Sequence, residues 1–330
     1  MKKIFALLLS AALLVTLLAA CGGGNTTDTD TDTQETAADA STTQVEEQEP
    51  DTGDASKDDP LNQDEIGEKE LLVVSFGTSY NDSRRETIGA IEKAMQTAFP
   101  DYSVRRAFTS QIIIDHVKDR DGVTIDNVEQ ALERAVDNGV KTLVVQPTHL
   151  MNGLEYKELT DELAKYSDSF EKIAIGDPLL TSDADFEAVM TAITDATKDA
   201  ADGKTAICFM GHGTTADSNS VYSKMQTLLT DKGFNDYYVG TVEATPSLDD
   251  VLAAVQKGNY EKVILRPLMI VAGDHANNDM AGDEDDSWKS TFEKAGYTVD
   301  CQVEGLGQLE AIQQLFVEHA KAAVASAEAE

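Results

Sequence analysis

The sequence predicts an α/β protein built as two similar lobes, each around a parallel sheet, with a cleft between them. Three observations carry this. Apolar runs of strand length alternate with amphipathic helical patterns from Leu71 almost to the C-terminus. The strand-like runs fall into two sets of four, and the two sets share landmarks at matching places. Strict strand-helix alternation implies parallel strands covered on both faces, and a repeat of this length implies two copies of one architecture.

In chain order, the first half offers strands at Leu71–Phe76, Ser103–Phe108, Thr142–Gln146 and Lys172–Ile175. The second offers Ala206–Met210, Tyr237–Val242, Lys262–Arg266 and Thr298–Val303. Helical patterns lie between them, among them Arg85–Ala98, Asn127–Asn138, Glu155–Tyr166, Asp185–Ala200, Ser220–Lys232, Ser247–Gln256 and Gly307–Ala323. The first strand of each half ends in a small-residue loop, Phe76-Gly77-Thr78 and His212-Gly213-Thr214. The third ends in proline, Pro147 and Pro267, each followed six residues on by glycine, Gly153 and Gly273, and two further on by Glu155 and His275. The second strands align Thr109 with Glu243. The expected organisation is therefore a leader over residues 1–20, a tether over 21–69, and lobes over 70–200 and 201–330.

The leader reads as a targeting segment. Lys2 and Lys3 precede an apolar run from Ile4 to Ala20, followed by Cys21 and three glycines. The run is short for a membrane span, which needs about 20 residues. Leu18-Ala19-Ala20-Cys21 is similar to the lipobox of bacterial lipoproteins, which implies cleavage before Cys21, a lipid on its thiol, and an extracytoplasmic, membrane-anchored protein. Residues 22–70 hold 16 acidic residues and two lysines, with almost no aromatic or large aliphatic side chains. Such a segment buries too little apolar surface to fold and repels itself into an extended tether.

With 26 basic against 60 acidic residues and a formal charge of −34, the chain is a poor partner for nucleic acid. Beyond Cys21 only Cys208 and Cys301 remain. Two cysteines so far apart form no zinc motif and no disulfide framework, although a single bridge between them stays open. Gly203-Lys204-Thr205 ends like a phosphate-binding loop, but Lys198 stands where the first glycine belongs and the tripeptide precedes a strand. No glycine-rich dinucleotide fingerprint follows a strand, so neither ATP nor NAD is expected.

Ligands of open parallel sheets bind outside the carboxyl ends of the strands. His149, Glu155, His212, Glu243 and His275 all fall there. His116 and His319, the remaining histidines, sit in helical patterns and read as surface residues. Glycines flank His212 and precede His275, allowing backbone and ligand to approach closely. Imidazole with carboxylate suits Co²⁺, Ni²⁺, Fe²⁺ or Zn²⁺ better than Mg²⁺ or Ca²⁺.

Several blocks together carry a family resemblance. Val73-Val74-Ser75-Phe76-Gly77-Thr78-Ser79-Tyr80, Arg106-Ala107-Phe108-Thr109-Ser110, Asn152-Gly153-Leu154-Glu155-Tyr156, Met210-Gly211-His212-Gly213 and Val271-Ala272-Gly273-Asp274-His275-Ala276 closely resemble the anaerobic sirohydrochlorin cobalt chelatases. So do Asn278-Asp279-Met280-Ala281 and Asp286-Ser287-Trp288-Lys289. The resemblance implies two flavodoxin-like lobes and ATP-independent insertion of Co²⁺ into sirohydrochlorin, with Fe²⁺ or Ni²⁺ as alternative metals. It implies a metal set of His212, Glu243 and His275, catalytic roles for His212, His275 and Glu155, and substrate contacts from Ser75, Phe76, Thr78, His149 and Arg106. Arg84, Arg85, Arg105 and Arg266 join Arg106 as candidates for the substrate carboxylates. A homo-oligomer is compatible with it. Export conflicts with a substrate made in the cytoplasm, so a second function uses the same cleft: an extracytoplasmic lipoprotein that binds metal, haem or corrinoid without turnover.

Overall fold

The computed structural model describes residues 51–329, apart from Glu65. The predicted leader, the lipidation site Cys21 and the tether up to residue 50 lie outside the described residues. The first half contains β1 (Lys69–Ser75), α1 (Asn81–Glu86), α2 (Ile88–Ala98), β2 (Ser103–Phe108), α3 (Gln111–Asp121), α4 (Val128–Asp137), β3 (Thr142–Pro147), α5 (Leu154–Ala164), β4 (Lys172–Ile175) and α6 (Asp183–Thr197). The second contains β5 (Thr205–Gly211), α7 (Ser220–Asp231), β6 (Tyr237–Thr241), α8 (Leu248–Val255), β7 (Lys262–Pro267), α9 (Trp288–Lys294), β8 (Thr298–Cys301) and α10 (Glu310–Ala329).

Both sheets are wholly parallel and have the same topology, β2-β1-β3-β4 and β6-β5-β7-β8. The expectation of two similar α/β lobes holds. Each central strand is apolar on both faces because helices cover both: Leu71, Leu72, Val73 and Val74 in β1 are fully buried, as are Ala206, Ile207, Cys208 and Met210 in β5. Helix starts are written locally. Asn127 with Gln130, Ser182 with Asp185, and Ser247 with Asp250 form reciprocal capping boxes at α4, α6 and α8.

The register corrects one detail of the predicted repeat. Ser75 pairs with Phe108, and Gly211 with Thr241. Ser110 N–H donates to Phe76 O as Glu243 N–H donates to His212 O. The counterpart of Glu243 is therefore Ser110, not Thr109; short, unequal apolar runs leave a one-residue slip that only the pairing fixes.

The lobes also exchange helices, so their boundary in space is not a cut at residue 200. The last helix, α10, packs on β3, β4 and α2 of the first lobe. The helix before the boundary, α6, packs on α7 of the second. Thr197 Oγ1 lies 2.9 Å from Tyr237 Oη, while Lys224 and Lys232 pair with Asp183 and Glu187.

The predicted tether ends earlier than residue 69. Residues 51–64 run along the first lobe, with Leu61 buried and Asp58 only 3% exposed. Composition hid this, because the anchoring groups are polar. Asp58 receives Nε of Arg84 at 2.6 Å and two nitrogens of Arg106 at 2.7 and 2.9 Å. Arg105 donates to the carbonyls of Leu61 and Gln63.

Cys208 and Cys301 are both free. Cys208 pairs across to Leu265, and Leu265 to Cys301. One strand thus stands between the cysteines, a span of about 10 Å, too far for a disulfide.

Candidate metal centre

The ends of β5, β6 and β7 converge at the mouth of the cleft. His212 follows β5, Glu243 lies just beyond β6, and His275 closes the loop after β7. Their potential ligand atoms all lie within 4.8 Å of one another. The two imidazole rings stand edge to face, 4.6 Å between centroids and 82° between planes. Among the described residues, this is the one group of three or more histidines, cysteines or carboxylates compact enough for an ion.

Local backbone explains the convergence. Gly213 has a φ of +89°, a left-handed conformation favouring glycine, and a Cβ there would lie 2.9 Å from Ala244. The resulting tight turn swings His212 over the sheet end, and Glu243 N–H donates to the His212 carbonyl at 2.9 Å. After His275 the chain winds into a single π-helical turn, Ala276–Met280. Such turns interrupt a regular helix and frequently mark functional sites.

The hydrogen bonds set both tautomers. His212 Nδ1 lies 2.7 Å from the Gly213 carbonyl, and His275 Nδ1 lies 2.7 Å from Asp279 Oδ2. A carbonyl or carboxylate only accepts, so each Nδ1 carries the proton and each Nε2 keeps a lone pair for a metal. Asp279 is thus a positioning partner of the kind that orients metal-binding histidines. Sequence reading missed it, although its place four residues after His275 was the available signal.

The same loops line a cavity of about 450 Å³. Ser75, Phe76, Thr78, His149, Glu155, His212, Glu243 and His275 all border it. Ser75 Oγ and Thr148 Oγ1 form a buried pair at 2.7 Å across the first lobe's strand ends. Phe76 leaves half its surface open and offers a flat apolar face. The lobes meet closely at Gly273, where a Cβ would lie 3.0 Å from Thr78 Oγ1.

The arginines are the correction. Arg106, expected to contact substrate, is 1% exposed and held by Glu92 and Asp58. Arg84 and Arg105 are buried in the same contacts to residues 51–64, and Arg85 pairs with Asp82 and Glu86. Arg266 faces Gln302 and Glu304. Each of these guanidinium groups is taken up by carboxylate, amide or carbonyl partners of the protein itself. Among the described residues no lysine or arginine lines the cavity; hydroxyls, imidazoles and the acids Glu155, Glu243 and Asp274 do. The two helical histidines diverge. His116 is exposed, whereas His319 bridges Asp177 O and Asp185 Oδ1, tying α10 to the start of α6.

Residues 69–325 match the family model of the cobalt chelatase CbiK. The chain belongs to the cobalt chelatase family. A sirohydrochlorin cobaltochelatase of Salmonella typhimurium is 38% identical over 251 residues, 76% of this chain and 94% of that protein. A second, from Nitratidesulfovibrio vulgaris, is 30% identical over 260 residues, 78% of this chain and 91% of its own. Among solved structures, SirB from Bacillus subtilis with Fe³⁺ superposes with a TM-score of 0.57 at 14% identity, covering 80% of this chain and 98% of that one. At that identity the likeness extends to the fold, with the paired lobes that this cobalt chelatase displays.

Proposed function

We propose that this chain inserts Co²⁺ into sirohydrochlorin without ATP, at the cluster of His212, Glu243 and His275. The observation that carries the proposal is that cluster itself: two imidazoles with Nε2 lone pairs free and one carboxylate, open to a cavity at the strand ends. Three such ligands with open positions can hold a borderline divalent ion while another ligand displaces its water. Both curated relatives named above are sirohydrochlorin cobaltochelatases, which supports the same substrate here. Fe²⁺ and Ni²⁺ fit the same donors. Apolar Phe76, Leu150, Met151 and Val271 suit the faces of a macrocycle, and the hydroxyls of Thr78, Thr214 and Thr215 suit its rim. Lipidation at Cys21 and a place outside the cytoplasm belong to the same proposal, resting on the leader sequence.

The test is anaerobic incubation of residues 51–330 with sirohydrochlorin and Co²⁺. Multiple turnovers, seen as the absorption change of metallation, are expected, and His212→Ala or His275→Ala should abolish them while the fold persists. Stoichiometric uptake of a metallated tetrapyrrole without turnover would instead identify a carrier.

A further inference from the structure

The segment over residues 51–64 and the cavity loop after β1 are joined by one arginine. Arg84 is fully buried in α1. Its Nε donates to Asp58 Oδ2 at 2.6 Å, and its Nη1 donates to the Thr78 carbonyl at 3.0 Å. Its third nitrogen, Nη2, donates to Asn81 Oδ1, and Asn81 Nδ2 in turn donates to the Gly53 carbonyl at 3.1 Å. A guanidinium presents its donors in one rigid plane, so fixing Nε on Asp58 aims the other two nitrogens at the loop and at α1.

The loop held in this way is part of the cleft. Thr78 is buried and, with Phe76, Gly77 and Ser79, lines the cavity. It meets the second lobe there: a Cβ on Gly273 would lie 3.0 Å from Thr78 Oγ1, and Ser83 Oγ accepts the Ala272 N–H at 3.0 Å. The seat of the segment is equally specific. Asp82 N–H donates to the Thr52 carbonyl at 2.8 Å, and Gly53, at a φ of +93°, lies so near α1 that a Cβ would stand 2.2 Å from Asp82 Cγ. Asp58 is 3% exposed, and water cannot screen its pairs with Arg84 and Arg106. Residues 51–58 precede the stretch matched by the family model, which begins at residue 69. The chain thus adds a support to the cavity loop from outside that stretch.

Resting on the chelatase reading above, we infer that Asp58 is a positioning residue for the tetrapyrrole: seating the segment fixes Arg84, and Arg84 fixes the loop Phe76–Ser79 in the shape that grips the macrocycle. Asp58 acts through Arg84 and touches no substrate. The candidate metal ligands, on the second lobe, hold the ion without it. Such a coupling runs both ways. A seated segment favours tetrapyrrole, and bound tetrapyrrole favours a seated segment by the same factor.

Two measurements test this. On the protein assayed above, amide hydrogen exchange over residues 51–58 and at Asp82 is followed with and without saturating sirohydrochlorin, in the absence of metal. Exchange should slow about 10-fold when the tetrapyrrole binds. The second measurement compares Arg84→Lys, which keeps a buried cation for Asp58 but not the planar fork that reaches Thr78, with Gly53→Val, which unseats the segment without altering a cavity residue. In both, the sirohydrochlorin Kd by fluorescence and the KM should rise about 10-fold, while kcat and Co²⁺ affinity by calorimetry stay within about two-fold. A residue that only stabilises the fold behaves oppositely, since partial unfolding lowers kcat and leaves Kd and KM as they were. That result overturns the inference, as does exchange over residues 51–58 unmoved by sirohydrochlorin while wild-type insertion proceeds. A parallel loss of Co²⁺ affinity would make the segment a general support of the site and overturn it too. If neither variant folds, the exchange result on wild type decides. Wild-type protein that neither binds sirohydrochlorin nor inserts Co²⁺ overturns the function, and this inference with it.

Discussion

A metal-binding histidine needs a fixed ring and a fixed tautomer, and the Asp279 carboxylate supplies both to His275 through one 2.7 Å contact. Removing it by Asp279→Ala leaves the ligands in place but frees the ring. Losses of this kind commonly cost about 10- to 100-fold in metal affinity, and Co²⁺ titration of the variant should show that range with secondary structure unchanged. Unaltered affinity would mean that the π-helical turn alone orients the imidazole. The candidate ligands His212 and His275 were legible in the sequence because strand-end position and neighbouring glycines mark them, while Glu243 entered the set through the family resemblance. Asp279 was not, since an acid within a helical stretch is an ordinary occurrence in a chain with 60 acidic residues.

Strands and helices were legible because their apolar periodicity is local. The segment over residues 51–64 was not, because its anchorage is polar and long-range. Its Asp58 meets Arg84 and Arg106, residues 26 and 48 positions away in sequence. Burial raises the cost of a charge at Asp58, but hydrogen bonds and charge from Arg106 and Arg84 hold its carboxyl below the usual range. At Glu92 the same burial effect wins, and its carboxyl is pushed up despite its bonds to Arg106. The same network explains why Arg106 failed as a substrate contact: four of its five N–H donors are committed to Asp58 and Glu92, and the side chain is 1% exposed. Asp58→Ala leaves two buried cations short of a partner, and urea unfolding should show a loss of about 3–5 kcal/mol. A chain beginning at residue 70 should fall by a similar amount, and limited proteolysis of the intact chain should leave residues 51–64 attached. A stable core that starts at residue 70 would refute this account.

At the scale of the molecule, matching sheet orders show how much of the architecture is repeated, and the candidate metal ligands show where the repeat is broken. His212, Glu243 and His275 occupy places held in the first lobe by Phe76, Ser110 and Glu155. The first lobe thus presents an apolar ring and an acid opposite the donors of the second. The repeat was readable from spacing; the helix exchange was not, because amphipathicity tells that a helix covers a sheet, not which sheet. Deleting residues 310–330 strips the cover from β3, β4 and α2, so the shortened protein should fail to unfold as one cooperative transition, by calorimetry, and should bind a hydrophobic dye. Ile312, Phe316, Val317 and Ala320 would leave their burial sites empty. Translation then acquires an unusual order. The first sheet leaves the ribosome early, yet its apolar cover is encoded in the last twenty-residue helix. A nascent chain stalled at residue 309 should stay sensitive to protease throughout its first half, and release of the complete chain should close both lobes together.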